Sequence, residues 1–423
     1  MQEYKKIVLK NGIRLLLIPD NSRRVVTSLV LFGVGSRYET EESAGISHVL
    51  EHMHYKGTKK RPSPLEVSEF IENIGGEHNA FTSKEYTGYY AKAASKNLEK
   101  SLDFLSDILT ASLFRSKDLE QEKRVILQEL DMYEDLPAEV ANNNFEKTLY
   151  GANALGRDII GYKESIKSIR REDLVAYRNR FYTGQNTVIV LSGNLEGRSD
   201  ADLVSIIERY FDLSTKSSDP YIPITLNDQK NYSLINKKTE QSHLVVGFKG
   251  VANDHPDRYV LRLLALILGG SMSSRMFSEI REKRGLAYAV RSATNNYLDS
   301  GSFETYAGIP HDRSLEAIEA VLGEYRRIKD TIKQSEVERA KEIIYGRLLI
   351  NNEDSSEVAS HFGMGELLAG RIRTLEEVAE IYQKITLADL ERAARQYFID
   401  ETLCLSFVGK APEINDFEKV FKL

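Results

Sequence analysis

The second half of the sequence repeats the order of the first. Ile169-Arg-Arg-Glu-Asp-Leu174 lies over Ile385-Thr-Leu-Ala-Asp-Leu390 at an offset of 216 residues, and at that offset Phe181-Tyr182 lies over Tyr397-Phe398 and Gly193 over Gly409. Ser116–Leu130 also resembles Ser335–Leu348, at a nearby offset. One such match is within reach of chance. Several in the same order argue for duplication of a half-chain unit.

A duplicated chain of 423 residues is long enough to build a core in each half. The first half opens on a hairpin pattern, with Lys6–Lys10 and Ile13–Ile18 as strands around an Asn11-Gly12 turn. Val25–Phe32 is a further β-rich run. Helical patterns follow at Ala44–His54, Pro64–Ile74, Leu98–Thr110 and Ser116–Tyr133. The half closes with a helix over Arg171–Phe181 and a strand over Thr187–Ser192. The expected fold class is α+β, with two homologous domains, each a mainly antiparallel sheet covered by helices. The stretch Ser214–Tyr232, rich in Ser, Asp, Pro and Asn, reads as the linker. The expected boundaries are a first domain over 1–213, a linker over 214–231 and a second domain over 232–423.

Composition narrows the function. The 57 basic and 63 acidic residues are mixed along the chain and leave a net charge of −6, which is unlike the basic field of a nucleic-acid binder. No run approaches the ~20 apolar residues of a membrane span, and the start has no signal-peptide core, so cytoplasmic residence is the expectation. Cys404 is the only cysteine, which excludes an internal disulfide or a thiolate metal site, and its apolar surroundings read as a buried strand. Any metal must therefore be held by histidine and carboxylate.

His48-Val-Leu-Glu51-His52 supplies the first part of such a site. Four residues of helix place the two imidazoles on one face, one turn apart. Glu51 borders that face, near enough to reach water at a bound ion without being a ligand. The order His-x-x-Glu-His inverts the commoner zinc motif. His54, six residues from His48, points off the shared face and reads as solvated. Catalytic zinc usually takes three protein ligands. The helix at Ser116–Tyr133 offers Glu122 and Glu129, seven residues apart on one face, while Asp131, Glu134 and Asp135 are alternatives that spacing alone leaves open. The duplicated helix carries Ala340 and Arg347 in place of Glu122 and Glu129, and Tyr259–Leu268, which matches the His48–His52 helix, has no histidine. Both parts of the site are absent together from the second half, as expected of one functional unit present once.

These residues resemble the pitrilysin/insulinase family of inverted-motif zinc peptidases, and within it the processing-peptidase subfamily, over nearly the whole chain. The resemblance rests on Gly45–Thr58, Gly75–Ser83 and Leu268–Tyr288. It implies the processing-peptidase (LuxS-like metallohydrolase) fold and one Zn2+ per chain. In the family a glutamate follows the second histidine after 76 intervening residues, which here is Glu129, so the implied ligands are His48, His52 and Glu129. Glu122 matches the family's supporting glutamate. Asn79 and Ala80 match the substrate-binding edge strand, where main-chain bonds receive an extended peptide. Arg281 and Tyr288 match a pair that holds substrate and stabilises the oxyanion; without the resemblance they are an Arg on a charged helix and a Tyr starting a strand.

The implied activity is a zinc metalloendopeptidase acting on peptides or unfolded segments in an enclosed chamber, using metal-activated water and Glu51 as general base. The implied assembly is a homodimer, with Arg281 and Tyr288 offered to the site of the same or the other chain. The competing readings are a non-catalytic scaffold of the same fold and an active subunit that needs a different, inactive partner. Scaffold chains generally lose the zinc residues or the Arg–Tyr pair, whereas this sequence keeps both.

Overall fold

The computed structural model describes residues 3–216, 220–225 and 229–423. The first part of the chain forms β1 (Lys5–Val8), β2 (Arg14–Pro19), β3 (Val25–Phe32), α1 (Ile46–His54), α2 (Pro64–Glu72), β4 (Glu77–Thr82), β5 (Thr87–Ala94) and α3 (Leu98–Thr110). There follow α4 (Ser116–Asp135), α5 (Pro137–Tyr150), α6 (Lys163–Ser168), α7 (Arg171–Phe181), β6 (Thr187–Gly193) and α8 (Asp200–Tyr210). The second part forms β7 (Asn231–Asn236), β8 (Ser242–Lys249), α9 (Asp257–Gly269), β9 (Ala289–Asn296), β10 (Gly301–Ile309), α10 (Ser314–Ile328) and α11 (Gln334–Asn352). It ends with α12 (Ser355–Ala369), α13 (Leu375–Lys384), α14 (Leu387–Tyr397), β11 (Cys404–Gly409) and α15 (Ile414–Val420). Among the described residues no helix is long and apolar enough to cross a membrane.

The two sheets have one topology. The first runs β1-β2-β6-β3-β5-β4 and the second β7-β11-β8-β10-β9. In each, one parallel pair (β2 with β6, β7 with β11) is followed by antiparallel pairs only. The hairpin that adds β1 turns at Gly12, whose φ of +89° suits a residue without Cβ. Gly193 and Gly409, matched in the repeat, end β6 and β11 at φ +118° and +143°. The helices α4 and α11 also superpose by burial. Leu119, Glu122, Lys123 and Ile126 are buried in one; Val337, Ala340, Lys341 and Ile344 are buried in the other. Lys123 donates to the Lys167 carbonyl at 3.0 Å and Lys341 to the Gln383 carbonyl at 2.9 Å. The pairing of Glu122 with Ala340 therefore holds in three dimensions.

Strand alternation creates two apolar faces on the first sheet. Leu15, Leu17, Val26, Val30, Phe32, Ile189 and Leu191 face the core shared with α1 and α3. Leu16, Ile18, Leu29, Leu31, Val188 and Val190 face the opposite way and are covered by Val358, Ala359 and Phe362 of α12. Gly363 permits this approach, because a Cβ there would lie 2.7 Å from Leu31 Cδ1. In the second sheet α5 does the same work: Ala141 and Phe145 pack with Val245, Cys404 and Val408, and Asn144 donates to Ser406 Oγ at 2.9 Å.

Each compact unit thus takes a helical segment from the other half of the chain. One comprises 1–130, 158–222 and 348–376; the other comprises 131–157, 223–347 and 377–423. The compact units differ from the expected boundaries 1–213 and 232–423, because a sheet with two apolar faces needs a cover on each. The linker 214–231 includes 217–219 and 226–228, which lie outside the described residues. Within the first unit, Tyr221 stacks on Arg37, 4.4 Å from the guanidinium carbon to the ring centroid.

Candidate metal centre

Helix α1 is set by its N-terminus. Gly45 caps it at φ +92°, and the buried Glu39 accepts the Gly45 and Ser47 N–H groups at 2.7 and 2.9 Å. This satisfies two donors that the helix leaves free and places negative charge at the positive end of its dipole. Ile46, Val49, Leu50 and Met53 then face the core. His48 and His52 face α4, which presents Glu122 and Glu129 two turns apart.

The four side chains converge. His52 Nε2 lies 3.2 Å from His48 Nε2. Glu129 Oε2 lies 3.9 Å from His48 Nε2 and 3.7 Å from His52 Nε2. Bonds of ~2.0–2.1 Å in a tetrahedron put zinc ligands ~3.3 Å apart, so these separations fit one ion. Among the described residues, the group able to hold a metal is His48, His52 and Glu129, with ligand atoms all within 4.8 Å of one another. Asp131 and Asp135, left open by spacing, are exposed and outside that group, as is Glu134.

Glu122 occupies a different place. Its Oε1 lies 2.9 Å from His52 Nδ1 and its Oε2 lies 2.6 Å from Lys56 Nζ. The carboxylate holds the His52 proton on Nδ1 and leaves the Nε2 lone pair directed at the cluster. Burial pushes the Glu122 carboxyl up, but the bonds from His52 and Lys56 outweigh it and hold the group below the usual range. Burial, then the neighbouring His52, lowers His48 to about 3, so its imidazole is neutral and able to ligate.

Glu51 Oε2 accepts the Thr82 hydroxyl at 2.5 Å. Burial raises its carboxyl despite that bond. Thr82 ends β4, the edge strand of the first sheet, paired on one side by β5. Asn79 and Ala80 lie on the same strand, and Asn79 Oδ1 accepts the Ala80 N–H at 2.9 Å.

Arg281 and Tyr288 belong to the other unit. Arg281 lies in a π-helical turn, Phe277–Lys283, and Tyr288 immediately precedes the edge strand β9. Such turns gather at functional sites. The two side chains meet: the guanidinium carbon stands 5.0 Å from the Tyr288 ring centroid and 4.6 Å from that of Phe277. Tyr288 is 80% exposed, a large ring held out to solvent.

His54 corrects the sequence reading. It is buried, and its Nδ1 donates to the Ile108 carbonyl at 2.6 Å among Tyr89, Phe114 and Tyr182. Its position is four residues after Leu50, on the buried stripe of α1, and that relation signals burial better than its distance from His48. Thr82, Lys56 and Glu39 were also not singled out by the sequence. Their contacts are with residues on other elements or with backbone N–H groups, and no periodicity marks them.

Residues 14–163 match the family described as Insulinase (Peptidase family M16), and residues 168–344 match the Peptidase M16 inactive domain. An uncharacterized zinc protease of Bacillus subtilis is 37% identical over 94% of this chain and 96% of its own length. Another, of Rickettsia bellii, is 35% identical over 92% of this chain and 94% of its own length. In fold, a protease from Helicobacter pylori superposes with a TM-score of 0.90 at 24% identity, covering 96% of this chain and 99% of that one. A Pseudomonas fluorescens protein described as a peptidase M16 inactive domain gives 0.87 at 20% identity, covering 97% and 98%. The duplicated fold, with its histidine–carboxylate cluster in one unit, belongs to the M16 (insulinase) peptidase family.

Proposed function

We propose that the protein is a zinc metalloendopeptidase that hydrolyses peptides or unfolded polypeptide segments, with one zinc per chain. The observation that carries this reading is the convergence of His48 Nε2, His52 Nε2 and Glu129 Oε2. When bound, zinc supplies a Lewis acid that polarises a carbonyl and acidifies water. Glu122 orients His52 through Nδ1. The Glu51 carboxylate takes the proton of the attacking water and passes it to the leaving amine. The β4 edge around Asn79 and Ala80 receives an extended peptide by main-chain pairing. Arg281 and Tyr288 donate to the developing oxyanion, in a homodimer whose chamber admits unfolded segments only. The zinc-protease names of the relatives support the general activity.

A Glu51→Gln variant tests the reading: it should keep zinc and lose peptide hydrolysis, and near-normal cleavage would overturn the role of the base. Purified chain that neither contains nor takes up zinc would favour the non-catalytic scaffold. Mixing His48→Ala and Arg281→Ala chains tests the composite site, because activity returns only if one chain serves the other.

A further inference from the structure

We propose that Thr82 is a positioning residue for Glu51, tying the direction of the base to the strand that would receive the peptide. The inference rests on the zinc-peptidase reading. Its observation is the 2.5 Å bond from the Thr82 hydroxyl to Glu51 Oε2. At that length an O–H donor to a carboxylate is a charge-assisted bond, stronger than a neutral one.

Thr82 is itself fixed. His78, Ala80 and Thr82 alternate onto the face of β4 turned toward α1, where His78 stacks on Tyr55 and Ala80 packs on the core. The turn that follows is closed by the Ser83 N–H to the Tyr86 carbonyl, 2.8 Å. From the segment after β3, the Ser36 and Arg37 N–H groups bond the Ser83 and Lys84 carbonyls at 3.2 and 2.8 Å. Gly35 makes that approach possible, since a Cβ there would lie 2.1 Å from the Ser83 carbonyl oxygen. Arg37 Nη1 closes on Glu85 Oε1 at 2.5 Å in the interior. The backbone that carries the hydroxyl is therefore held by β5 at Thr82 and by the segment after β3 at the neighbouring Ser83 and Lys84, and the carboxylate, on the longer and more flexible Glu51 side chain, takes its direction from it. One Glu51 oxygen is engaged by Thr82, which leaves the other to meet water. A peptide added to β4 is thereby registered against the same strand that orients the base.

The test compares Thr82→Val, Thr82→Ser and Glu51→Gln in the full-length protein. An internally quenched fluorogenic peptide reports kcat and KM, and chelator competition reports zinc affinity. Thr82→Val should lower kcat about tenfold or more, with KM and zinc affinity within about twofold of wild type, and Thr82→Ser should recover most of the loss. If the valine variant does not fold, Thr82→Ala carries the same expectation. Unchanged kcat in the valine variant, a loss that appears in KM or in zinc affinity instead, or a serine variant as impaired as the valine one would overturn the inference. The parent reading is separable: an inactive Glu51→Gln beside a fully active Thr82→Val removes only the role of Thr82, whereas an active Glu51→Gln removes both.

Discussion

His52 Nδ1 stands 2.9 Å from Glu122 Oε1, and this contact decides which nitrogen of His52 is left to bind a metal. Without an acceptor at Nδ1 the proton is free to move to Nε2 and block the ligand position. Glu122→Ala should therefore weaken zinc binding about 10–100-fold, and Glu122→Gln should weaken it less, because the amide oxygen still accepts the Nδ1 proton. Chelator competition at neutral pH measures both. Equal, near-wild-type affinities would contradict the orienting role.

Glu129 and its neighbours on α4 separate ligand from surface charge. Glu129→Gln should reduce zinc content below one per chain after dialysis, whereas Asp131→Asn and Asp135→Asn, both exposed, should keep it. Loss of zinc on replacing Asp131 or Asp135 would move the third ligand.

The sequence made part of this site legible and hid the rest for physical reasons. His48, Glu51 and His52 share a helix, so a four-residue period marks them, and Glu122 and Glu129 share another. The spacing of seven could not choose between those two carboxylates; the resemblance chose Glu129, and the geometry places Glu122 behind His52. Thr82 bonds Glu51 across 31 residues of chain, which no local pattern reports. In the fold, Leu15-Leu-Leu-Ile18 shows that both faces of β2 are buried, as continuous apolar runs do in a sheet covered on each side, yet nothing in that run says that α12 supplies the second cover.

The borrowed helices should carry much of the stability of each unit. Phe362 is fully buried on Leu29, Leu31 and Val190, so Phe362→Ala should destabilise the first unit by about 3–5 kcal/mol. Urea unfolding followed by tyrosine fluorescence measures it. A change below ~1 kcal/mol would show that α12 adds little to that core.

Glu304 gives the second unit a pH signature. Burial first, then the nearby Glu146, raises its carboxyl to about 7. The unfolded chain loses this proton near the ordinary carboxylate range while the folded chain keeps it, so stability falls as pH rises from about 4.5 to 7. Glu304→Gln should flatten that limb and unfold at higher urea than wild type above pH 7. Parallel profiles for the two proteins between those pH values would contradict the assignment.

The most direct test of the metal centre is anomalous diffraction at the zinc edge from crystals of zinc-loaded protein. The account predicts one strong peak per chain within about 2.0–2.2 Å of His48 Nε2, His52 Nε2 and a Glu129 carboxylate oxygen. A peak held by other residues, or none at this cluster in protein shown to contain zinc, would contradict it.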